Sequence, residues 1–180
     1  AGLLPWQLFT SAFNGAGNPS LDPLVFSTAV TQAAIPGAAA VAFSSAGLTS
    51  LTVAWSANGN PLAVSTYVLQ ASTASDFSGA DDRSITTAPV AGPSAVISGL
   101  AVNTTYFLRV RAVNHLGVSS PYFGLDSTAT LAAVPGTPSA AAVFATSAAV
   151  QWAQGGNPSG VTRYSVLFTT TSPPEAQALD

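Results

Sequence analysis

The chain has 180 residues, 48% of them hydrophobic, and a net charge of −3. Only 6% are charged, against roughly 25% in an average soluble domain. Its hydrophobicity excludes intrinsic disorder, and four scattered arginines with no lysine exclude a basic footprint for nucleic acid.

The elements follow in chain order. The opening stretch WQLFTSAFNGAG is nearly rewritten one hundred residues later, in NTTYFLRVRAVNHLG. Trp6 falls on Tyr106, Leu8 on Leu108, Ala12 on Ala112, Asn14 on Asn114 and Gly17 on Gly117. Next, SLTVAWS sets Leu51, Val53 and Trp55 on one face and Thr52, Ala54 and Ser56 on the other. TYVLQAS turns Tyr67, Leu69 and Ala71 inward. TYFLRVRAVN turns Tyr106, Leu108, Val110 and Ala112 inward, with Arg109 and Arg111 outward. Alternation with a period of two marks half-buried strands. The intervening ANGNP, SDFSGADD, APVAGPS and NHLGVSSP are turn chemistry. Later, VAWSANGNPLAVSTYVLQAST recurs as VQWAQGGNPSGVTRYSVLFTT, placing Trp55 on Trp152, Asn60 on Asn157 and Tyr67 on Tyr164. The linker STAVTQAAIPG recurs as STATLAAVPG, with Pro36 on Pro135. One unit is therefore close to a hundred residues long. No window offers an amphipathic helix, and several short strands at this spacing predict an all-β sandwich.

The order Pro36, Trp55, Tyr67 and then SGLAVNTTYFLRVRAVNHLGVSSP resembles a fibronectin type III domain, an immunoglobulin-like β-sandwich. The resemblance rests on Leu100, Thr104, Tyr106, the run RVRAVN and Gly117. It departs at Val102, where the family places Pro. It implies a core of Trp55, Tyr67, Leu69, Ile97, Leu100, Tyr106, Leu108 and Val110. Trp55 packs there against Tyr67, Ile97 and Leu108, and the Tyr106 hydroxyl bonds back to the backbone a few residues upstream as a tyrosine corner. Trp152 and Tyr164 hold the same core places in the next copy, and Trp6 takes the place of Tyr106 in the preceding one.

The expected organisation is residues 1–34 as the last strands of a partial repeat, 35–133 as a complete domain, and 134–180 as the first three or four strands of another partial repeat. Incomplete sandwiches expose apolar faces and unpaired edges. They close through adjacent repeats of the same chain, or through strand complementation by a second copy, which builds a non-closing filament.

Little in the sequence points to chemistry. His115, the single histidine, lies in the turn NHLG with no second His or any Cys to share a metal. Asp76, Asp81 and Asp82 lack the spaced ladder of a calcium loop and read as a solvated loop. Asn103 opens the triplet NTT, an acceptor pattern for N-glycosylation, and also occupies the turn before Tyr106, the reading preferred here. Phe107 beside Arg109 and Arg111 reads either as a contact surface or as outer-face cross-strand packing.

No catalytic, cofactor or metal residue is expected. No run reaches the ~20 uninterrupted apolar residues of a spanning helix, and the first residues lack the basic and apolar regions of a signal peptide. A neutral, hydroxyl-rich surface repels copies of itself weakly. The expected function is a non-enzymatic structural repeat of an extracellular surface or filament-forming protein, with other copies or adjacent repeats as partners. The alternative is an adhesin or a carbohydrate-binding accessory module of a secreted protein, with glycans as ligands.

Overall fold

The computed structural model describes residues 5–10, 13–19, 24–79 and 84–168, and among them there is no helix. The chain divides into two compact units, residues 1–133 and 134–180.

The first unit begins with an antiparallel hairpin of β1 (Pro5–Thr10) and β2 (Leu24–Val30). Trp6 stands opposite Ala29, and a bulge falls between Leu8 and Phe9. The side chains of these two strands, that of Trp6 included, lie outside the described residues. Seven strands follow: β3 (Phe43–Ala46), β4 (Ser50–Ala54), β5 (Thr66–Ser72), β6 (Ile85–Thr86), β7 (Ser94–Ser98), β8 (Thr105–Val113) and β9 (Phe123–Ala129). They form two sheets, ordered β3-β4-β7 and β6-β5-β8-β9, with every pairing antiparallel.

Alternation places the core between the sheets. β4 contributes Leu51 and Val53, with Trp55 just beyond its end, and β5 contributes Tyr67, Leu69 and Ala71. β7 gives Ile97, with Leu100 just after it, and β8 gives Tyr106, Leu108, Val110 and Ala112; all are buried in one cluster. Trp55 meets Tyr67 with ring centroids 5.5 Å apart and planes tilted by 55°, an arrangement that favours edge-to-face contact. Val68 faces the opposite way and is nevertheless buried. It stands opposite Arg111 in the ladder, within reach of that aliphatic stem.

The hairpin β1–β2 repeats features of β8–β9. Each has a bulge at the matching place, Leu8/Phe9 and Phe107/Arg109. The turn after β8 uses Asn114 Oδ1 to accept from the amides of Leu116 and Val118, with Gly117 at φ 80°. Asn14 Oδ1 accepts from Ala16 and Asn18 in the same way, and Gly17 also has φ 80°. Asparagine closes such turns with its own side chain, and glycine supplies the left-handed residue they need.

The second unit carries the hairpin β10 (Ser139–Val143) and β11 (Ala148–Gln151). Trp152 and Tyr164 reproduce the aromatic pair, with centroids 5.5 Å apart and planes at 62°. The segment 163–168, at the place of β5, carries no strand. β5 owes its ladder to β8 along its whole length, and no strand among the unit's described residues pairs with 163–168.

Candidate functional site

Three places stand out: the outer face of the four-stranded sheet, the tyrosine corner, and the exposed apolar residues among the described part of the second unit. On the outer face the Arg109 guanidinium lies 3.9 Å from the Phe77 ring centroid and 4.2 Å from that of Tyr122. Arg109 Nε donates to Gln70 Oε1 at 2.7 Å, and Arg111 lies 5.0 Å from the same Tyr122 ring. β8 aims both arginines outward because its even positions fill the core. Phe77 reaches the site from a loop by adopting φ 58°, unusual for an aromatic residue. Cationic planes on aromatic faces are attracted by the ring quadrupole. The aromatic partners are therefore Phe77 and Tyr122. Phe107 is half-buried and sits in the ladder between Ser72 and Ser127.

At the corner, the Ala101 amide donates to the Tyr106 hydroxyl at 2.9 Å. Asn103 adopts φ 45° in the intervening turn, which the alternative reading as a glycosylation acceptor does not require. Thr130 Oγ1 donates to Ala101 O at 2.7 Å and accepts from the Thr104 amide, so the corner is tied to the strand leaving the domain.

In contrast, the Tyr67 hydroxyl is buried with no hydrogen-bond partner in the protein, and so is Trp55 Nε1. Burial raises the Tyr67 pKa above its ordinary 10.0, since desolvation disfavours the phenolate. Tyr67→Phe removes an orphaned polar atom and keeps the ring, so it should raise stability by about 1 kcal/mol. Urea unfolding checks this, and a lowered midpoint would mean that the hydroxyl has a stabilising partner.

In the second unit Trp152 and Tyr164 are only half-buried. They line a hollow of about 160 Å³ with Pro135, Pro138 and Leu167. Val166 is 46% exposed, whereas Leu69, its counterpart in the first unit, is 0% exposed.

The remaining residues singled out from the sequence are placed as follows. His115 is exposed in its turn. Asp76 accepts from the backbone and hydroxyl of Ser78, while Asp81 and Asp82 lie outside the described residues. Among the described residues no group of three His, Cys, Asp or Glu is placed to hold a metal, and no helix is long and apolar enough to cross a membrane. Sequence reasoning missed Gln70, Phe77 and Tyr122 beside the arginines, because loop approach and cross-strand register bring them there. It aligned Asn60 and Asn114 with their counterparts without giving either a role. Their recurrence within turns was the available signal.

Two antiparallel sheets of three and four strands, a buried tryptophan and a tyrosine corner define an immunoglobulin-like sandwich domain. Residues 36–124 match the family model described as fibronectin type III domain, and this segment is one. Among solved structures, the chain is similar to the fibronectin type III domain of human fibronectin type III domain containing protein 3, at 19% identity. That match covers 56% of this chain and 88% of the other, with a TM-score of 0.45. It is also similar to the fn3 domain of the human collagen alpha-1(XX) chain, at 20% identity, with 59% and 94% coverage and a TM-score of 0.43. No curated protein matches the chain.

Proposed function

We propose that residues 1–34, 35–133 and 134–180 are parts of three successive fibronectin type III repeats, the middle one complete. On this reading the chain is a non-enzymatic structural element of an extracellular surface or filament-forming protein, assembled head to tail. The observation that carries it is the contrast between Val166 and Leu69, the same core position exposed in one copy and sealed in the other. Exposed apolar side chains on a segment without a ladder partner must be covered to be stable. On this reading the ladder partner of 163–168 is the type of hairpin that β1 and β2 form, as β8 and β9 complete the sheet of β5. It comes from the adjacent repeat of the same chain or from another copy, and a head-to-tail contact of this kind propagates. A surface with 6% charged residues favours such close packing.

Electron microscopy of the purified protein is expected to show fibres with a regular axial period. Val166→Asp places a charge in the seam and should disperse them. Discrete particles that are indifferent to this substitution would overturn head-to-tail assembly. The second reading, an adhesin or carbohydrate-binding accessory module, is favoured by the Arg109 and Arg111 face with its flanking Phe77 and Tyr122. It requires glycan binding by those discrete particles, abolished by Arg109→Gln.

A further inference from the structure

We infer that the junction entering each repeat is a locked joint rather than a hinge. The segment 31–36 leads from β2 into the sandwich, and the domain grips it throughout. Asn114, 3% exposed, donates from Nδ2 to Thr31 O at 3.1 Å. Gln32 Nε2 donates to Ser119 O at 2.8 Å. Ala33 is buried in the core cluster of the sandwich. Asn60, 5% exposed, clasps Ala34 from both sides: its Oδ1 accepts from the Ala34 amide and its Nδ2 donates to the Ala34 carbonyl, each at 2.8 Å. Asn58 Nδ2 donates to Ile35 O at 2.8 Å, and Pro36 is fully buried. Thr31 follows directly on Val30, the last residue of β2. The grip therefore begins where the strand ends.

The exit of the domain completes the picture. Thr130 and Leu131 stand in the linker at the places of Thr31 and Gln32, and the domain they leave holds both. The Thr130 amide donates to Thr104 O at 3.1 Å, the Asn103 amide donates to Leu131 O at 2.9 Å, and the Leu131 amide donates to Gly47 O at 2.9 Å. Within 31–36, Thr31, Ala34 and Ile35 have backbone bonds to the sandwich, Gln32 a side-chain bond, and Ala33 and Pro36 are buried, while at the exit Thr130 and Leu131 are held by their backbone. No unpinned residue is left to absorb a change in backbone angles, and hinges work by such residues. This second half rests on the tandem reading above. The first half stands on the chain as it is. A linker of similar length without such bonds behaves as a flexible coil.

The turn that supplies Asn60 is built again in the second unit. Asn157 Nδ2 donates to Gln154 O at 2.8 Å, as Asn60 Nδ2 donates to Ala57 O at 2.8 Å, and Asn157 too is buried.

Amide ¹⁵N relaxation and hydrogen exchange on the whole chain test the joint. Residues 31–36 are expected to have order parameters of about 0.85, as in β5 and β8, and values below about 0.6 would overturn the inference. Asn60→Ala should accelerate exchange of the Ala34 amide about tenfold and lower the order parameters of 31–36, with β5 and β8 unchanged. A linker that stays rigid in this variant would overturn the role of Asn60. Should Asn60→Ala fail to fold, the Gln32→Ala and Asn114→Ala variants decide on the same readout. Rigid 31–36 in a protein that makes no fibres would keep the joint and sink the assembly, whereas fibres with a mobile 31–36 would do the reverse.

Discussion

Trp55→Ala is expected to remove about 3–5 kcal/mol of stability, the usual cost of deleting a large core aromatic. A domain of this size has about 5–15 kcal/mol in total. The melting midpoint should fall by about 15–30 °C, or the domain should not fold. The cost is one of packing. Trp55 Nε1 has no hydrogen-bond partner, and the ring fills the space between the sheets against Tyr67. Trp55→Phe should therefore lose much less than Trp55→Ala. A melting curve that Trp55→Ala leaves unmoved would remove Trp55 from the centre of the core.

Tyr106→Phe is expected to destabilise by about 1–3 kcal/mol, because the Ala101 amide loses its acceptor in a half-buried turn. The opposite sign expected for Tyr67→Phe makes the pair informative. Two tyrosines of one core differ by a single hydroxyl bond, so ring packing cancels in the comparison. Urea midpoints of the two variants read it directly. If both substitutions shift stability alike, the corner bond contributes nothing specific.

The inward sheet positions were legible because β4 and β8 alternate cleanly and β5 does so apart from Val68 and Ser72. Leu51, Val53 and Trp55, then Tyr67 and Leu69, then Tyr106, Leu108, Val110 and Ala112 are all sealed, as a period of two requires. The corner was legible only through family resemblance, since nothing in the spacing of Leu100 and Tyr106 dictates a bond to Ala101. The burial of Val68 was not legible, because it depends on its cross-strand neighbours, with Arg111 opposite it in the ladder. Nor was the Arg109 stack. Phe77 reaches it from a loop with a left-handed backbone, and Tyr122 from beyond the next turn. The clasp on 31–36 escaped for a similar reason. Asn114 acts on Thr31, 83 residues away, and Asn60 on Ala34, 26 residues away. Pattern along the chain does not encode contacts of that range. The missing strand over 163–168 marks the converse limit: a segment with strand-like residues forms no ladder without a partner.

The central ladder pairs Tyr67 with Ala112 and Leu69 with Val110, so the two strands at the heart of the sandwich leave the ribosome far apart in time. At about 5–20 residues per second, β8 emerges several seconds after Trp55. Throughout that delay the faces of β4 and β5 lie open. β1, which carries Trp6 and Leu8 at the places of Tyr106 and Leu108, has already been synthesised beside them. β1 is paired with β2, and a β1 engaged in that ladder is kept from intruding before β8 arrives.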